Sequence, residues 1–493
     1  MSNNRKLIRQ MGLITVIATG VSSMVGASIN VVPFMIYRSV PNIGPYVLWA
    51  FIFAIIPALF AGFAYAILSS AMPRAGGSYL YASRGLNPYL GFIASFSQWF
   101  GLSIVIGVIS YISIPFLRDI AFAYELFHLS ELLDNSFVRV FLALSFIWFF
   151  VYLNIRGIKA YANLLTPMLI VIFFLGSIVI FSGLFYDVSD FIYSLEKKTG
   201  IVHSRVIDPQ FEWYSFFSAA AILFSSFIGF DAIAQTGSES VNPKKNLPLA
   251  ILISILGVGL FYFLFTASVY KIVPWSYISE QAQSRDITAP GMLSYVLPRG
   301  IDSLIILGAT IALINDIPAM LLSVSRLIFT WAKDGIVSKK LTYIHPQKNT
   351  PIFALIFSGA VSSVGVIGSN LAGDFFLGID IMVTSMLVNF ILMSITILTI
   401  KKYNSKLYFK IEIFKNRIMQ LIIGWGGIIS LGSFLVIHLY KDITKEVDAW
   451  YFHSTYVWLI VMVLASIIFI FQWNKLGVGE KDLRNRFKKL PSE

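Results

Sequence analysis

The chain has 493 residues, 57% hydrophobic and only 13% charged, with a mean hydropathy of +0.77. A soluble domain carries about 25% charged residues, so the composition excludes an ordinary soluble fold and points to a polytopic membrane protein. The absence of cysteine excludes disulfides, iron–sulfur clusters and thiolate-bound zinc, while the net charge of +12 falls mainly on one side of the apolar segments, as the positive-inside rule requires, so it does not call for a nucleic-acid partner.

Apolar segments of roughly 18 or more residues number about twelve. Residues 1–11, with Arg5, Lys6 and Arg9, form a basic lead expected on the cytoplasmic side. No cleavable signal peptide is expected, because the first apolar run is long and has no small-residue cleavage site. That run, about 12–37, carries Ser22-Ser23-Met24-Val25-Gly26-Ala27-Ser28 at its centre. Small, hydroxylated residues there suit a helix that breaks, since Gly accepts the dihedrals of a break and Ser can bond freed backbone groups. A turn at Pro41-Asn42-Ile43-Gly44-Pro45 leads into the second span, and Pro73-Arg74-Ala75-Gly76-Gly77-Ser78-Tyr79 forms a Gly-rich connection after it. No strand precedes this Gly pair and no Gly-Lys-Ser/Thr follows, so it is not read as a phosphate loop. Spans three to five follow, the fifth holding Pro167, where a kink is expected.

The sixth span repeats the first motif as Ser225-Ser226-Phe227-Ile228-Gly229-Phe230-Asp231 and leaves through Glu239-Ser240-Val241-Asn242-Pro243. The loop over 274–300 mixes apolar and polar residues as a short surface helix would. The eighth span exits at Lys333-Asp334-Gly335, and four further spans lead to a basic tail. The five His (128, 203, 345, 438 and 453) sit in loops or at span ends without metal-ligand spacing, so neither metal nor cofactor is expected.

Laying Ser225 on Ser22 also brings Asn246-Leu247-Pro248 close to Asn42-Ile43-Gly44-Pro45. The breaks fall in the first and sixth segments, an odd offset, so the two halves enter the membrane in opposite directions. The expected fold is therefore all-α with 12 transmembrane helices in a 5+5 inverted repeat whose helices 1 and 6 are broken. The divisions are a lead over 1–11, a first repeat over 12–190, a second over 191–402, two appended helices over 403–475 and a tail over 476–493.

Four ordered motifs carry a family resemblance. Phe227-Ile228-Gly229-Phe230-Asp231 with Glu239 and Asn242-Pro243-Lys244-Lys245-Asn246-Leu247-Pro248 forms the first of them. Pro73-Arg74-Ala75-Gly76-Gly77-Ser78-Tyr79, Ser325-Arg326 with Lys333-Asp334-Gly335, and Asn349-Thr350-Pro351 supply the others. Over most of 12–400 the chain resembles the amino acid–polyamine–organocation permeases. That resemblance implies the LeuT-like fold and alternating-access transport of amino acids or related amines, with both termini cytoplasmic in the cell membrane. Three departures stand out: Ala27-Ser28 follows Gly26 where the family often has Gly-x-Gly, Ile67 occupies a common Glu position, and no Lys lies in the fifth span.

A zwitterionic amino acid needs partners for one carboxylate and one ammonium. Amides near Gly26, Ala27 and Ser28 at the start of the second half-helix suit the carboxylate, and unwound carbonyls at Met24, Ser225 and Ile228, beside Gly229, suit the ammonium. The same small residues would equally serve close helix packing. Phe224 and Phe227 flank the second break, either as a gate over substrate or as core filling. Asp316 precedes Arg326 by ten residues, which places it about 15 Å deep if Arg326 marks the interface. An intramembrane carboxylate is costly and points to function; it is expected to bind a proton or cation beside the first break, the alternative being a structural acid. Asp231 is read as a hydrogen-bonding acid for helix 6, and Glu239 and Arg326 as solvated charges at the cytoplasmic face, the alternative being a salt bridge that acts as a gate.

The leading reading is a secondary carrier of amino acids, neutral ones favoured, coupled to protons or exchanging. The rival keeps the fold and carries a polyamine, an organic amine or a small cation. An enzyme is disfavoured because no Ser-His-Asp or His/Cys set lies at one membrane depth, and a membrane sensor because a large soluble output domain is expected of one.

Overall fold

The computed structural model describes residues 7–124, 126–200, 202, 208–284, 287–298, 300–372, 376–447, 449–476 and 487–491. The side chains of 27, 28, 119, 122, 123, 372 and 376 lie outside that description, as do His203 and most of the tail. The described chain is helical throughout, and eleven helices are long and apolar enough to cross a membrane.

The first apolar segment is not among the eleven because it is cut into pieces. Helix α1 (Leu13–Ser22) ends where Ser23 to Gly26 turn, and a single turn, α2 (Ala27–Asn30), follows. A second interruption at Val31 (φ −127°, ψ −57°) precedes α3 (Val32–Ser39), whose Pro33 occupies the first turn, where a missing N–H costs nothing. The segment is thus interrupted twice, once more than its sequence motif suggests.

Helix α4 (Val47–Ala71) returns through the bundle. The Gly-rich connection that follows is itself structured. Gly76 and Gly77 adopt φ of 105° and 34°, and α5 (Gly77–Gly85) is buried along its whole length. Side chains at the two glycines would run into Thr330 and Gln235, so only Gly lets α5 tuck under its neighbours. Then come α6 (Pro88–Ala123), α7 (Phe127–Asp134), α8 (Ser136–Ile155) and α9 (Ile158–Phe185), which runs unbroken through Pro167.

The long loop before the sixth span contains α10 (Val188–Thr199), started by an Asp187 capping box. The sixth span comprises α11 (Trp213–Leu223), a 3₁₀ turn over Phe224–Phe227, an extended Ile228, and α12 (Ala232–Gln235). Beyond it lie α13 (Pro243–Ile272), the surface helices α14 (Trp275–Ser284) and α15 (Ala289–Leu293), and α16 (Ile301–Asp334). The two surface helices occupy the loop where one was expected. The remainder is α17 (Ile352–Ala372), α18 (Phe376–Tyr403), α19 (Ser405–Tyr408), α20 (Arg417–Thr444) and α21 (Ser454–Lys475).

Burial separates the helices into layers. The most apolar stretch of the sixth span is 94% buried and that of α16 is 78%, whereas α8, α9 and α21 bury under a third of theirs. The inner helices carry Ser, Asn, Gln and Asp that need protein partners, and the outer ones present Phe, Ile and Leu outward, as lipid requires. The N-terminal lead joins the near face of this bundle: the amides of Gln10 and Met11 donate to Glu239 O at 2.9 Å, and Val241 N donates back to Met11 O. The opposite, far face holds Arg38, Asp380 and His438.

Candidate functional site

The two breaks touch. Gly229 has φ +134°, a conformation L side chains rarely adopt, and a Cβ there would overlap the Ser23 carbonyl and the Met24 amide. Irregular backbone in one span therefore rests directly on irregular backbone in the other. Gly26 is bounded differently: a Cβ would overlap the carboxyl group of Asp316 from α16. The acid expected beside the first break is there, buried to 2% exposure.

Polar groups secure both breaks. Tyr262 of α13 donates its hydroxyl to Met24 O, which satisfies a carbonyl freed where α1 ends. Asn315 Nδ2 donates to Ser22 Oγ at 2.8 Å, tying α16 to the same place. Below the second break, Gly229 N donates to Asp231 Oδ1 at 3.1 Å, so Asp231 caps the backbone that the extended Ile228 leaves open. Gln98 of α6 donates to the other oxygen of Asp231 and accepts from Ser78 of α5. This chain connects the break to the buried α5.

A narrow cavity of about 40 Å³ opens between the breaks, bordered by Ser23, Ser225, Ile228 and Asp316. Its remaining walls are aliphatic, drawn from Val32 of α3, Val105 to Ile112 of α6, Met320 of α16, and Ile379 and Met382 of α18. In this conformation it has room for water-sized groups. Among the described residues, Asp316 is the one ionisable side chain on its walls.

The near face is closed by two buried ion pairs. Arg326 donates through Nη2 at 2.6 Å and Nε at 3.1 Å to the Glu239 carboxylate, with both side chains at most 3% exposed. The expectation that Glu239 and Arg326 are solvated surface charges is therefore corrected: α16 continues beyond Arg326 to Asp334, and α12 and the N-terminal lead cover the pair. The second pair joins Arg84 of α5 to Asp334 at 2.5 and 2.9 Å, with Tyr79 OH donating to the same carboxylate at 2.7 Å. Burial by itself lowers the Arg84 pKa, but the adjacent Asp334 more than offsets this and the net direction is upward.

The structure brings Met24, Gly26, Ser225, Ile228, Gly229 and Asp316 together. The backbone of Ala27 and Ser28 starts α2, while their side chains lie outside the described residues. α2 spans only one turn, so it has little dipole of its own, and the group lying at its start is the Asp316 carboxyl. Phe224 and Phe227 do not border the cavity. Phe224 packs on Phe390 and Phe434, and Phe227 on Phe51 and Tyr262, which is a core-filling arrangement. Sequence reasoning missed Tyr262, Gln98 and Arg84, and considered Asn315 only as a structural partner of Asp316. Tyr262, Gln98 and Asn315 are polar residues inside apolar runs, and that was their available signal; nothing local marked Arg84 as buried.

Eleven membrane-length spans, with irregular backbone of the sixth span meeting that of the interrupted first apolar segment at an internal cavity, have the architecture of a solute carrier. The chain belongs to the amino acid permease family, which matches residues 11–471. It is a membrane transporter of amino acids and not an enzyme. The branched-chain amino acid permease BcaP of Bacillus subtilis (strain 168) is 23% identical over 384 residues, covering 74% of this chain and 75% of that protein. The low-affinity putrescine importer PlaP of Escherichia coli (strain K12) is 24% identical, covering 69% of each. The chloroplastic cationic amino acid transporter 9 of Arabidopsis thaliana is 27% identical over 69% of this chain and 58% of its own length.

Proposed function

We propose that the chain carries neutral amino acids with aliphatic side chains across the cell membrane by alternating access, coupled to protons through Asp316. The contact between the Asp316 carboxyl group and Gly26 carries this reading. When ionised, that carboxylate occupies the start of the second half-helix, where amides near Gly26 would otherwise meet a substrate carboxylate. Protonation removes the competing charge and makes the place available to the amino acid. Proton and substrate then bind together, which is symport. Carbonyls of Ser225 and Ile228 take the ammonium, and the aliphatic walls take the side chain.

A 5+5 inverted repeat with two appended helices, 12 spans in all and both termini cytoplasmic, supplies the two alternately opening halves. The contact between Gly229 and the Ser23–Met24 backbone supports that pairing of helix 1 with helix 6. A polyamine is the second reading, favoured by the relative that imports putrescine. A diamine has two ammonium groups, whereas one acid borders the cavity, so the neutral amino acid fits better. Uptake into proteoliposomes decides between them. Labelled leucine or valine should enter faster under an inward proton gradient and resist competition by excess putrescine. Uptake of putrescine in preference to leucine refutes the assignment.

A further inference from the structure

The near face holds a second and larger cavity, of about 740 Å³, away from the breaks. It lies where α5 ends, α6 begins, and α18 and α21 finish, with residues 487–491 as one wall. Its apolar side is an aromatic ladder. Tyr89 meets Phe469 at 5.5 Å, Phe469 stacks on Trp473 at 5.3 Å, and Trp473 meets Phe487 at 5.5 Å. Its polar side carries Arg84, Lys402 and Lys488, and among the described residues no acidic side chain borders it. Arg84 is neutralised by Asp334 behind it, so the unbalanced charge comes from Lys402 and Lys488. The far-face cavity differs in carrying both signs, with Asp380 and Asp442 opposite Arg38, Lys441 and Lys445.

We propose that this cavity binds one anionic phospholipid, its phosphate between Lys402 and Lys488 and its acyl chains along Phe469 and Trp473. Three observations converge on that ligand. The cavity opens at the ends of membrane-length helices, at headgroup level. Its walls divide into an aromatic and a cationic side, matching an amphiphile with a negative head. Its charge is of one sign, so an anion is favoured over a zwitterion. The lipid also fastens the tail. Residues 487–491 are already held by Arg84 Nε donating to Lys489 O at 3.2 Å and Asn404 Nδ2 donating to Lys488 O at 3.1 Å. The Phe487 ring lies 4.8 Å from the Arg84 guanidinium. A phosphate on Lys488 adds a charged tether to this docking.

Thermal unfolding of the purified full-length protein, titrated in mixed micelles with phosphatidylglycerol or phosphatidylcholine, tests the proposal. Phosphatidylglycerol should raise the Tm saturably and phosphatidylcholine should not. The exposed double substitution K402Q/K488Q should weaken the phosphatidylglycerol response by about 30-fold in half-saturating concentration, the surface worth of two lysines. K348Q, an exposed lysine in the loop before α17, should leave it unchanged. An unaltered response in K402Q/K488Q, or an equal response to phosphatidylcholine, overturns the site. Inorganic phosphate that reproduces the shift and competes with the lipid overturns the lipid assignment, leaving a soluble phosphate site.

Discussion

Substituting Gly26 with Ala tests the juxtaposition on which the coupling mechanism rests. The new Cβ would overlap the Asp316 carboxyl group, which belongs to a side chain and can rotate, while the backbone around Gly26 stays in place. Forcing the carboxyl off its rotamer costs about 0.5–1.5 kcal/mol, and overpacking a buried site adds about 1–3 kcal/mol. Gly26→Ala should therefore lose about 2–4 kcal/mol of stability. Each kcal/mol shifts Tm by about 2–4 °C in chains of 150–250 residues and by less in longer ones, so a drop of about 3–6 °C is expected here. The same substitution made in an Asp316→Ala background meets no carboxyl group and should cost under about 1 kcal/mol. A double-mutant cycle by thermal unfolding in detergent measures the difference. Equal Tm losses in the two backgrounds would show that the carboxyl does not lie against Gly26, and the proposed competition between Asp316 and substrate would fall with it.

Gly229→Ala should behave differently, because the atoms it meets are the Ser23 carbonyl and the Met24 amide. Backbone cannot rotate aside and φ +134° adds strain of about 1–3 kcal/mol; uptake should be lost, no truncation of a neighbouring side chain should restore it, and rescue by one would contradict the contact. Asp316→Asn keeps the size but cannot ionise. Wild-type uptake should rise as the outside is acidified, whereas the variant should show a flat pH profile; retained gradient stimulation in proteoliposomes ends the coupling role. Glu239→Gln leaves the Arg326 guanidinium buried without its counter-charge, a loss of about 3–5 kcal/mol, and a Tm within 1 °C of wild type would mean that the pair is solvated after all.

Much of the candidate site was legible because membrane chemistry leaves few options for unusual residues. A Ser-Ser-x-x-Gly motif in an apolar run suits a helix that opens as well as close helix packing, and its second copy favoured opening and gave the partner. Asp316 was found by the same logic, since a carboxyl group at that depth must be answered by something. Other features were not legible. Neither Gly76 nor Gly77 announces that α5 is a fully buried helix. Arg326 resembled an interface marker because its neighbours in sequence are ordinary, and only the fold reveals Glu239 seated against it.

By itself, then, the sequence determined the class of molecule, the places where two helices must open, and the acid near the first of them. These follow from local costs, namely hydrogen bonds that lipid cannot supply and a charge that lipid cannot solvate. The tertiary structure alone decided which groups meet: Gly229 against Ser23, Asp316 against Gly26, Tyr262 on the Met24 carbonyl, and the tail against Arg84. Such contacts join residues hundreds of positions apart, and their energies depend on distances that no local pattern encodes.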